Sequence, residues 1–180
     1  MSAAIPDEDE QPEDEQPEAR SRYDEMADGY VRFWAPVLRV AAEQVLDSLR
    51  PDLDAQKDLR LLDVGTGTGT LAVAALARWP RLRVTGIDPS GGMLEAAGRT
   101  AAERLRPAAQ RRFHRVVAPA DRLPFKGASF DAAMSSFVLQ LVPSRAAALR
   151  EVHRVLRPGA AFAWVTWERT NRAADLQKDA

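Results

Sequence analysis

The sequence predicts an α/β protein with a Rossmann-like, doubly wound and mostly parallel sheet of about five strands. From Leu59 onward, short β-rich runs alternate with Ala-rich helical runs. Breakers such as Pro80, Pro107 and Pro158-Gly159 separate these runs. A glycine-rich segment follows the first strand, and parallel sheets of this type bind ligands beyond the carboxyl ends of their strands. The first strand-to-helix turn is therefore where a binding site is expected.

The composition suits one domain with a sizeable core. The chain has 180 residues, of which 46% are hydrophobic and 28% are charged. Its net charge of −1 hides an uneven distribution, because residues 1–19 hold eight acidic residues and no basic one. The rest of the chain has 18 acidic against 25 basic residues, a net charge of +7.

Several classes of protein are excluded or disfavoured by residue usage. The chain has no cysteine, which excludes disulfides, cysteine zinc sites and thiolate nucleophiles. The two histidines, His114 and His153, lie too far apart to form a metal motif, so no metal is predicted. The arginines between Arg99 and Arg115 lack interleaved aromatic residues, which favours a solvated face over a nucleic-acid partner.

The sequence also favours a cytoplasmic protein without a membrane partner. No apolar run approaches the roughly 18 residues that cross a bilayer. The N-terminal segment is acidic, whereas a signal or transit peptide is basic or apolar.

We divide the chain into four segments. Residues 1–20 are predicted to be a disordered acidic tail, because the segment repels itself and has little apolar surface to bury. Residues 21–57 are predicted to be a helical cap, with a helix over 36–49 that Pro51 ends. Residues 58–168 form the α/β domain and 169–180 a polar tail. Within the domain we predict strands over 59–64, 83–87, 113–117, 131–135 and 161–165, and helices over 70–78, 90–105 and 144–156.

The first strand-to-helix turn carries three glycines at alternate positions, Gly65, Gly67 and Gly69. Glycine tolerates positive φ and lets backbone amides approach a ligand, and the following helix N-terminus attracts a phosphate or a carboxylate. The dinucleotide fingerprint needs its third glycine at the position of Thr70, which weakens a nicotinamide-dependent interpretation. No Gly-Lys-Ser/Thr follows, so a Walker phosphate loop is excluded.

A candidate nucleoside pocket follows the second strand. Asp88 lies 19 residues after Gly69, close to the spacing expected for a ribose-binding acid. Ser90 suits the cap of the next helix, and Met93 could cover one face of an adenine ring. Together these residues predict an adenosine pocket.

The ordered motifs resemble those of class I S-adenosylmethionine-dependent methyltransferases, in particular the small-molecule, ubiquinone/menaquinone-biosynthesis-like branch. The resemblance covers roughly residues 58–167. It rests on the Asp63-x-Gly-x-Gly-x-Gly turn, Leu123-Pro-Phe125, Phe130-Asp131 and Arg154-Val-Leu-x-Pro-Gly159.

This resemblance implies S-adenosyl-L-methionine as cofactor, and residues 58–168 as the domain that binds it. Asp63 and the turn backbone would hold the methionine end, Asp88 the ribose hydroxyls and Met93 the adenine. In this family an Asp that receives the adenine amino group usually stands where this chain has Pro119; the Asp121 side chain and the Ala120–Asp121 backbone are the candidate substitutes. The implied cofactor residues are Asp63, Gly65, Thr66, Gly67, Gly69, Asp88, Pro89, Met93, Ala120, Asp121 and Ser135.

Candidate residues on the substrate side come from two segments. Ser136, Phe137 and Gln140 follow the fourth strand, where the acceptor lies in similar enzymes. Tyr23, Tyr30 and Trp34 precede the domain; they could line the mouth of the pocket or pack the N-terminal helix onto the domain. No residue is assigned as a general base.

The resemblance predicts a methyltransferase that acts on a small-molecule acceptor by in-line methyl transfer. Family members continue past the fifth strand through a further helix and two strands, but only 15 residues follow Val165 here. We therefore expect a sheet edge that the C-terminal tail, a second copy of the chain or another protein covers. The alternative is a truncated, non-catalytic methyltransferase-like protein that acts as a partner-binding or regulatory subunit. A nicotinamide-dependent oxidoreductase is a third possibility.

Overall fold

The computed structural model describes residues 35–55 and 58–166. The predicted acidic tail (1–20) and polar tail (169–180) lie outside these ranges. The described elements are α1 (Ala35–Ala55), β1 (Arg60–Val64), α2 (Thr70–Arg78), β2 (Arg83–Asp88), α3 (Gly91–Arg104), α4 (Pro107–Gln110), β3 (Phe113–Val117), β4 (Phe130–Ser136), α5 (Arg145–Val155) and β5 (Leu156–Val165).

The five strands form one parallel sheet in the order β3-β2-β1-β4-β5. The chain moves outward from β1 to β2 and β3, and then crosses to β4 on the other side of β1. The strand order therefore reverses between β1 and β4, which is where doubly wound sheets bind their ligands. The predicted fold class is confirmed.

Strand β1 lies at the centre of the sheet, and all of its residues after Arg60 are buried. It has to be apolar on both faces because helices cover both sides of a parallel sheet. Asp63 is the exception in this strand, with 1% of its surface exposed. It lies in register with Gly86 of β2 and Met134 of β4. Because burying a carboxyl costs free energy, packing alone does not explain an acid at this position in the sheet.

Two apolar layers sandwich the sheet. One layer contains residues from α1, α2 and α3, and the other contains residues from α5 and from the segment between β3 and β4. The first layer includes Leu46, Leu49, Leu61, Leu76, Val84 and Met134. The second includes Leu62, Val64, Ile87, Leu123, Val152 and Val155.

Helix α1 ends near the amino edge of the sheet. Asp54 accepts a hydrogen bond from Trp79 Nε1 at 2.7 Å, and Asp47 pairs with Arg78 at 2.7 Å. Both partners lie at the C-terminal end of α2, which runs from the carboxyl edge of the sheet to its amino edge. Helix α1 has 21 residues and is about 30 Å long. No helix within 35–55 and 58–166 is long and apolar enough to cross a membrane.

The predicted end of α1 at Pro51 is wrong. Proline removes one backbone donor from a helix, and this loss commonly ends the helix. Here α1 continues to Ala55, because Leu53 is buried in the core and Asp54 is held by Trp79. These tertiary contacts offset the missing hydrogen bond.

The predicted start of the fifth strand is also wrong. Strand β5 begins at Leu156, directly after α5, and not at 161. Its pairing with β4 shifts register between Phe130 and Ala132, and the extra residues include Pro158 and Gly159, whose φ is +79°. A bulge thus accommodates both residues that were expected to separate a helix from a strand.

Candidate cofactor site

The turn after β1 is built from three glycines in the left-handed region. The φ angles are +70° at Gly65, +52° at Gly67 and +81° at Gly69, values that other residues rarely adopt. The Thr66 N–H donates to the Ile87 carbonyl at 2.8 Å, and the Gly69 N–H donates to the Thr66 carbonyl at 2.9 Å. The turn is therefore fixed to β2 before any ligand binds.

The surroundings of the three glycines differ. A Cβ atom on Gly65 would lie 2.3 Å from a methyl group of Val138, and one on Gly69 would lie 3.1 Å from the Cβ of Ala97. A Cβ atom on Gly67 would meet nothing within 4 Å. Packing thus accounts for the small size of Gly65 and Gly69, whereas Gly67 faces space that a ligand can fill.

Asp88 joins the turn to the end of β2. Its Oδ2 accepts from the Gly67 N–H at 2.9 Å, and its Oδ1 accepts from the Ser90 N–H at 2.9 Å. Both oxygens of this carboxylate therefore hold backbone amides of the glycine turn and of the segment that follows β2. The side chain is only 9% exposed, and this low exposure to water strengthens any hydrogen bond it makes.

Helix α3 begins where the sequence predicts. Ser90 is its N-cap and accepts from the Met93 N–H at 3.0 Å, which satisfies one of the free donors of the first turn. Met93 is buried at 3% exposure, and Pro89 is exposed.

Asp63 lies beneath the turn. The Thr66 hydroxyl donates to its Oδ2 at 2.7 Å, while its buried Oδ1 has no hydrogen-bond partner among the residues that the structure describes. Burial raises the pKa of this carboxyl to about 7; the Thr66 hydroxyl opposes the rise, the Asp88 charge adds to it and the Ala72 N–H opposes it. A buried polar atom without a partner is costly, so Oδ1 marks a place where a ligand charge or donor would stabilise the protein.

Backbone hydrogen bonds hold the segment that follows β3. The Ala118 N–H donates to the Asp88 carbonyl at 3.1 Å, which brings Ala120 and Asp121 to the carboxyl edge. Ala120 is buried and Asp121 is half-buried. The Arg122 N–H donates to the carbonyl of Pro119 at 3.3 Å, so Pro119 turns the chain here.

The same segment is anchored to α5 by an ion pair. Glu151 accepts from the Leu123 N–H at 2.9 Å, and Arg154 donates to the carbonyls of Leu123 and Phe125 at 3.1 and 2.8 Å. Arg154 and Glu151 also form two hydrogen bonds with each other, at 2.6 and 2.7 Å. The hydrogen bond from Arg154 lowers the pKa of Glu151 to about 2. These contacts join the Leu123-Pro-Phe125 motif to the motif that begins at Arg154, so the two motifs form one structural unit.

The segment after β4 closes the other side of the site. The Ser135 hydroxyl is fully buried and donates to the Val64 carbonyl at 2.9 Å. Phe137 has a φ of +56°, and its N–H donates to the Val165 carbonyl at 2.8 Å. Gln140 donates to the Phe137 carbonyl at 2.6 Å and accepts from the Thr166 hydroxyl at 2.7 Å. Gln140 thus holds this loop in place.

The predicted cofactor residues gather along the carboxyl ends of β1, β2, β3 and β4. Ser136, Phe137 and Gln140 lie at the same edge and are half-buried, whereas Tyr23, Tyr30 and Trp34 lie outside the described residues.

Two residues that shape the turn, Val138 and Gly86, were not predicted from the sequence. A Cβ atom on Gly86 would lie 2.7 Å from the Thr66 hydroxyl, and a glycine inside a predicted strand is a sign of such a close approach.

A glycine turn at the reversal of strand order, with an acid at the end of the next strand, defines a Rossmann-like nucleoside-binding protein. Within this class, the chain belongs to the methyltransferase domain family, which matches residues 62–164. Membership of this family implies S-adenosylmethionine as cofactor. Proteins to which the chain is similar include ubiquinone/menaquinone biosynthesis C-methyltransferases of the UbiE type.

The ubiquinone/menaquinone biosynthesis C-methyltransferase UbiE of Geotalea daltonii is 40% identical over 101 residues, which cover 56% of this chain and 42% of that protein. The malonyl-[acyl-carrier protein] O-methyltransferase of Laribacter hongkongensis is 37% identical over 142 residues, which cover 77% and 46%. The crystal structure of the [4+2]-cyclase SpnF has a TM-score of 0.61 and 30% identity, covering 69% of this chain and 44% of that one. This chain thus spans less than half of each of these proteins.

The residues present fit this cofactor. The unpartnered Asp63 Oδ1 suits its positively charged methionine end, and the open space at Gly67 leaves room for a ligand to approach the backbone. Asp88 is an acid at the carboxyl end of β2, where folds of this type bind the ribose hydroxyls of a nucleoside.

Proposed function

We propose that this protein is an S-adenosylmethionine-dependent methyltransferase that acts on a small-molecule acceptor by in-line transfer. The observation that carries the proposal is the arrangement of Asp63, Gly67 and Asp88. A buried acid with a free oxygen, a glycine facing open space and a second acid bonded to that glycine lie together at the carboxyl edge. Packing explains none of these three features.

The bound cofactor supplies an electrophilic methyl group on a sulfonium. The protein residues bind and orient it: Asp88 the ribose, Asp63 and the turn backbone the methionine end, and Met93 and the Ala120–Asp121 segment the adenine. Ser136, Phe137 and Gln140 belong to the acceptor side. Alignment and exclusion of water account for much of the rate in such a transfer, so no covalent intermediate is needed.

The N-terminal cap is proposed to complete the pocket. Tyr23, Tyr30 and Trp34, which precede α1 in the sequence, are the residues proposed for this role. The boundaries of the cap, at 21–57, and of the cofactor domain, at 58–168, remain predictions, as does the cytoplasmic location.

Asp88→Asn tests the cofactor assignment. Asn keeps the size of the side chain and one acceptor oxygen, but it loses charge-assisted hydrogen bonds that are worth about 1.5–3 kcal/mol each. We expect the affinity for S-adenosylmethionine and S-adenosylhomocysteine to fall by roughly tenfold or more, as measured by titration calorimetry. Asp47→Asn is the matched control, because Asp47 pairs with Arg78 away from the glycine turn. Equal affinities for wild type and Asp88→Asn would show that the ribose assignment is wrong.

A second candidate is a non-catalytic, partner-binding or regulatory methyltransferase-like protein. It is favoured by Pro119 in the adenine-reading position and by β5, whose Trp164 is 50% exposed and stacks on Phe162 with ring centroids 5.0 Å apart. An exposed apolar edge strand is a common association surface, so a homo-oligomer or a partner at this edge remains a proposal. Binding of the cofactor without transfer to any acceptor, together with stable association through β5, would favour this second candidate.

A further inference from the structure

The most unusual ionisable group in the described structure is Asp63. Its carboxyl is 1% exposed, Thr66 donates to Oδ2 at 2.7 Å, and Oδ1 has no partner among the described residues. Most buried acids in proteins are paired with a cation or hydrogen-bonded on both oxygens. Among the described residues, only the Thr66 hydroxyl and the Ala72 N–H stabilise the charge of this carboxyl.

The groups around Asp63 do not supply a positive charge. Strand β2 presents the Asp88 carboxylate, which opposes a second negative charge, and α2 presents only the backbone N–H of Ala72. Strand β4 places the neutral Met134 in register with Asp63, and the loop after β4 places Val138 against Gly65. Among the described residues, no lysine, arginine or histidine contributes to the environment of this carboxyl.

A charged ligand would change this balance. The methionine end of S-adenosylmethionine carries an ammonium, a sulfonium and a carboxylate, so its net charge is positive. A positive charge within a few ångströms favours the ionised form of a buried acid even without direct contact. We propose that Asp63 holds a proton in the ligand-free protein and releases it to solvent when the positively charged end of the cofactor binds at the glycine turn. This inference rests on the function proposed above.

The proposal predicts how proton release and cofactor affinity depend on pH. With a pKa of about 7 in the ligand-free protein, Asp63 is about 90% protonated at pH 6 and about 10% protonated at pH 8. Binding at pH 6 therefore releases about 0.9 proton from Asp63, and binding at pH 8 releases about 0.1. The contribution of Asp63 makes the affinity fall by about tenfold from pH 8 to pH 6.

Titration calorimetry in two buffers with different protonation enthalpies counts the protons released. The ligands are S-adenosylmethionine, S-adenosylhomocysteine, which lacks the sulfonium charge, and 5′-methylthioadenosine, which lacks the sulfonium charge, the ammonium and the carboxylate. Because the cofactor's own amino group also titrates, the quantity of interest is the difference between wild type and Asp63→Asn. We expect this difference to be about 0.9 proton at pH 6 for S-adenosylmethionine and zero for 5′-methylthioadenosine. S-adenosylhomocysteine shows which charge displaces the proton.

A second variant tests the same coupling without removing the acid. The Thr66 hydroxyl stabilises the ionised carboxyl, so Thr66→Val should move the midpoint of proton release to higher pH. A purely structural role of Thr66 would weaken binding equally at all pH values. Infrared difference spectra of ligand-free wild type and Asp63→Asn at pH 6 should also show the carbonyl band of a protonated carboxylic acid in the wild type alone.

The outcomes separate the two proposals. If S-adenosylmethionine binds but wild type and Asp63→Asn release the same number of protons at pH 6, the coupling is wrong and the proposed function stands. A missing carboxylic-acid band at pH 6 also overturns the coupling. If the folded wild-type protein binds none of the three ligands, the proposed function and the coupling are both overturned.

Discussion

At the scale of single residues, Asp88 supports the site as well as facing it. Its two oxygens accept the N–H groups of Gly67 and Ser90, so the glycine turn and the start of α3 depend on one side chain. Truncation to alanine would therefore loosen the turn and remove the ribose contact together. For this reason Asp88→Asn is the more informative variant, because it retains one of the two acceptors.

Variants of two of the glycines should differ in cost. Gly67→Ala places a Cβ atom at positive φ in open space, so the free energy of unfolding should fall by about 1–2 kcal/mol from backbone strain alone. Gly65→Ala adds an overlap with Val138 and should cost more. Urea unfolding of both variants measures the difference.

The double variant Gly65→Ala/Val138→Ala is the control for this explanation. Removing the Val138 methyl groups should recover part of the cost of Gly65→Ala, so the two changes should be non-additive. Additive costs would mean that the overlap does not destabilise the folded protein.

The sequence predicted the site at this scale only in part. The alternating glycines, the acid at position 88 and the Ser90 cap were readable because they are local in the chain. The distinction between Gly67 and its neighbours was not, because it depends on Val138 and Ala97, which lie far along the chain. Likewise, nothing in the sequence near Gln140 indicates that its side chain bonds to Thr166.

At the scale of elements, the Glu151–Arg154 pair holds the segment after β3 on α5. Glu151→Gln removes the charge that Arg154 binds but keeps an acceptor for the Leu123 N–H. We expect a loss of about 1–3 kcal/mol in the free energy of unfolding at pH 7, toward the lower end because Arg154 is 41% exposed and partly screened by water.

This loss should depend on pH. The folded-state pKa of Glu151 is lowered from 4.5 to about 2, so its contribution is complete above pH 4.5 and is lost as the pH falls toward 2. Urea unfolding at pH 7 and pH 3 should show a smaller difference between wild type and Glu151→Gln at pH 3. An equal difference at both values would assign the effect to packing and not to charge.

Two predicted element boundaries are wrong at this scale. Local rules placed a stop at Pro51 and a break at Pro158-Gly159, and both rules describe isolated chain segments correctly. The structure overrides them with distant partners: Trp79 holds the end of α1, and β4 pairs with β5 on both sides of its bulge. Interactions that join distant parts of the chain were not visible in the local pattern.

At the scale of the whole molecule, the carboxyl ends and the amino ends of the strands have different roles. The carboxyl edge carries the site, and the amino edge carries an acid that joins three strands. Asp131 of β4 accepts from the Arg60 N–H of β1 at 2.8 Å and pairs with Arg157 of β5. The Phe130-Asp131 motif, which suggested a methyltransferase, is thus a structural tie away from the site.

Asp131→Ala should therefore separate stability from binding. We expect a loss of about 1–3 kcal/mol in the free energy of unfolding, because a largely buried acceptor of a backbone N–H is removed. The affinity for S-adenosylmethionine should be unchanged in the folded variant. Chemical unfolding and calorimetry measure the two quantities.

Arg157→Met is the matched comparison for Asp131→Ala. It removes only the ion pair, and because Arg157 is 52% exposed the cost should be below about 1 kcal/mol. A cofactor affinity that falls in proportion to the stability in these two variants would show that the two edges are coupled. The separation of tasks would then be wrong.

The overall architecture was the most predictable level. Alternating strand and helix patterns define a parallel doubly wound sheet, because right-handed crossovers allow few other arrangements. The sequence of 58–166 carries this pattern throughout, and the five observed strands match the five predicted ones apart from their ends.

The position of β1 has a consequence for how the chain is made. Strand β1 is complete only when β4 pairs with it, and Leu61 meets Ala132 across 71 positions of sequence. Contacts this far apart close large loops, which slows folding. A ribosome that adds about 5–20 residues per second needs several seconds to synthesise the chain between these partners. During that interval the central, largely buried strand of the sheet has one open side, so synthesis exposes the nascent chain to aggregation and makes it a candidate for chaperone binding.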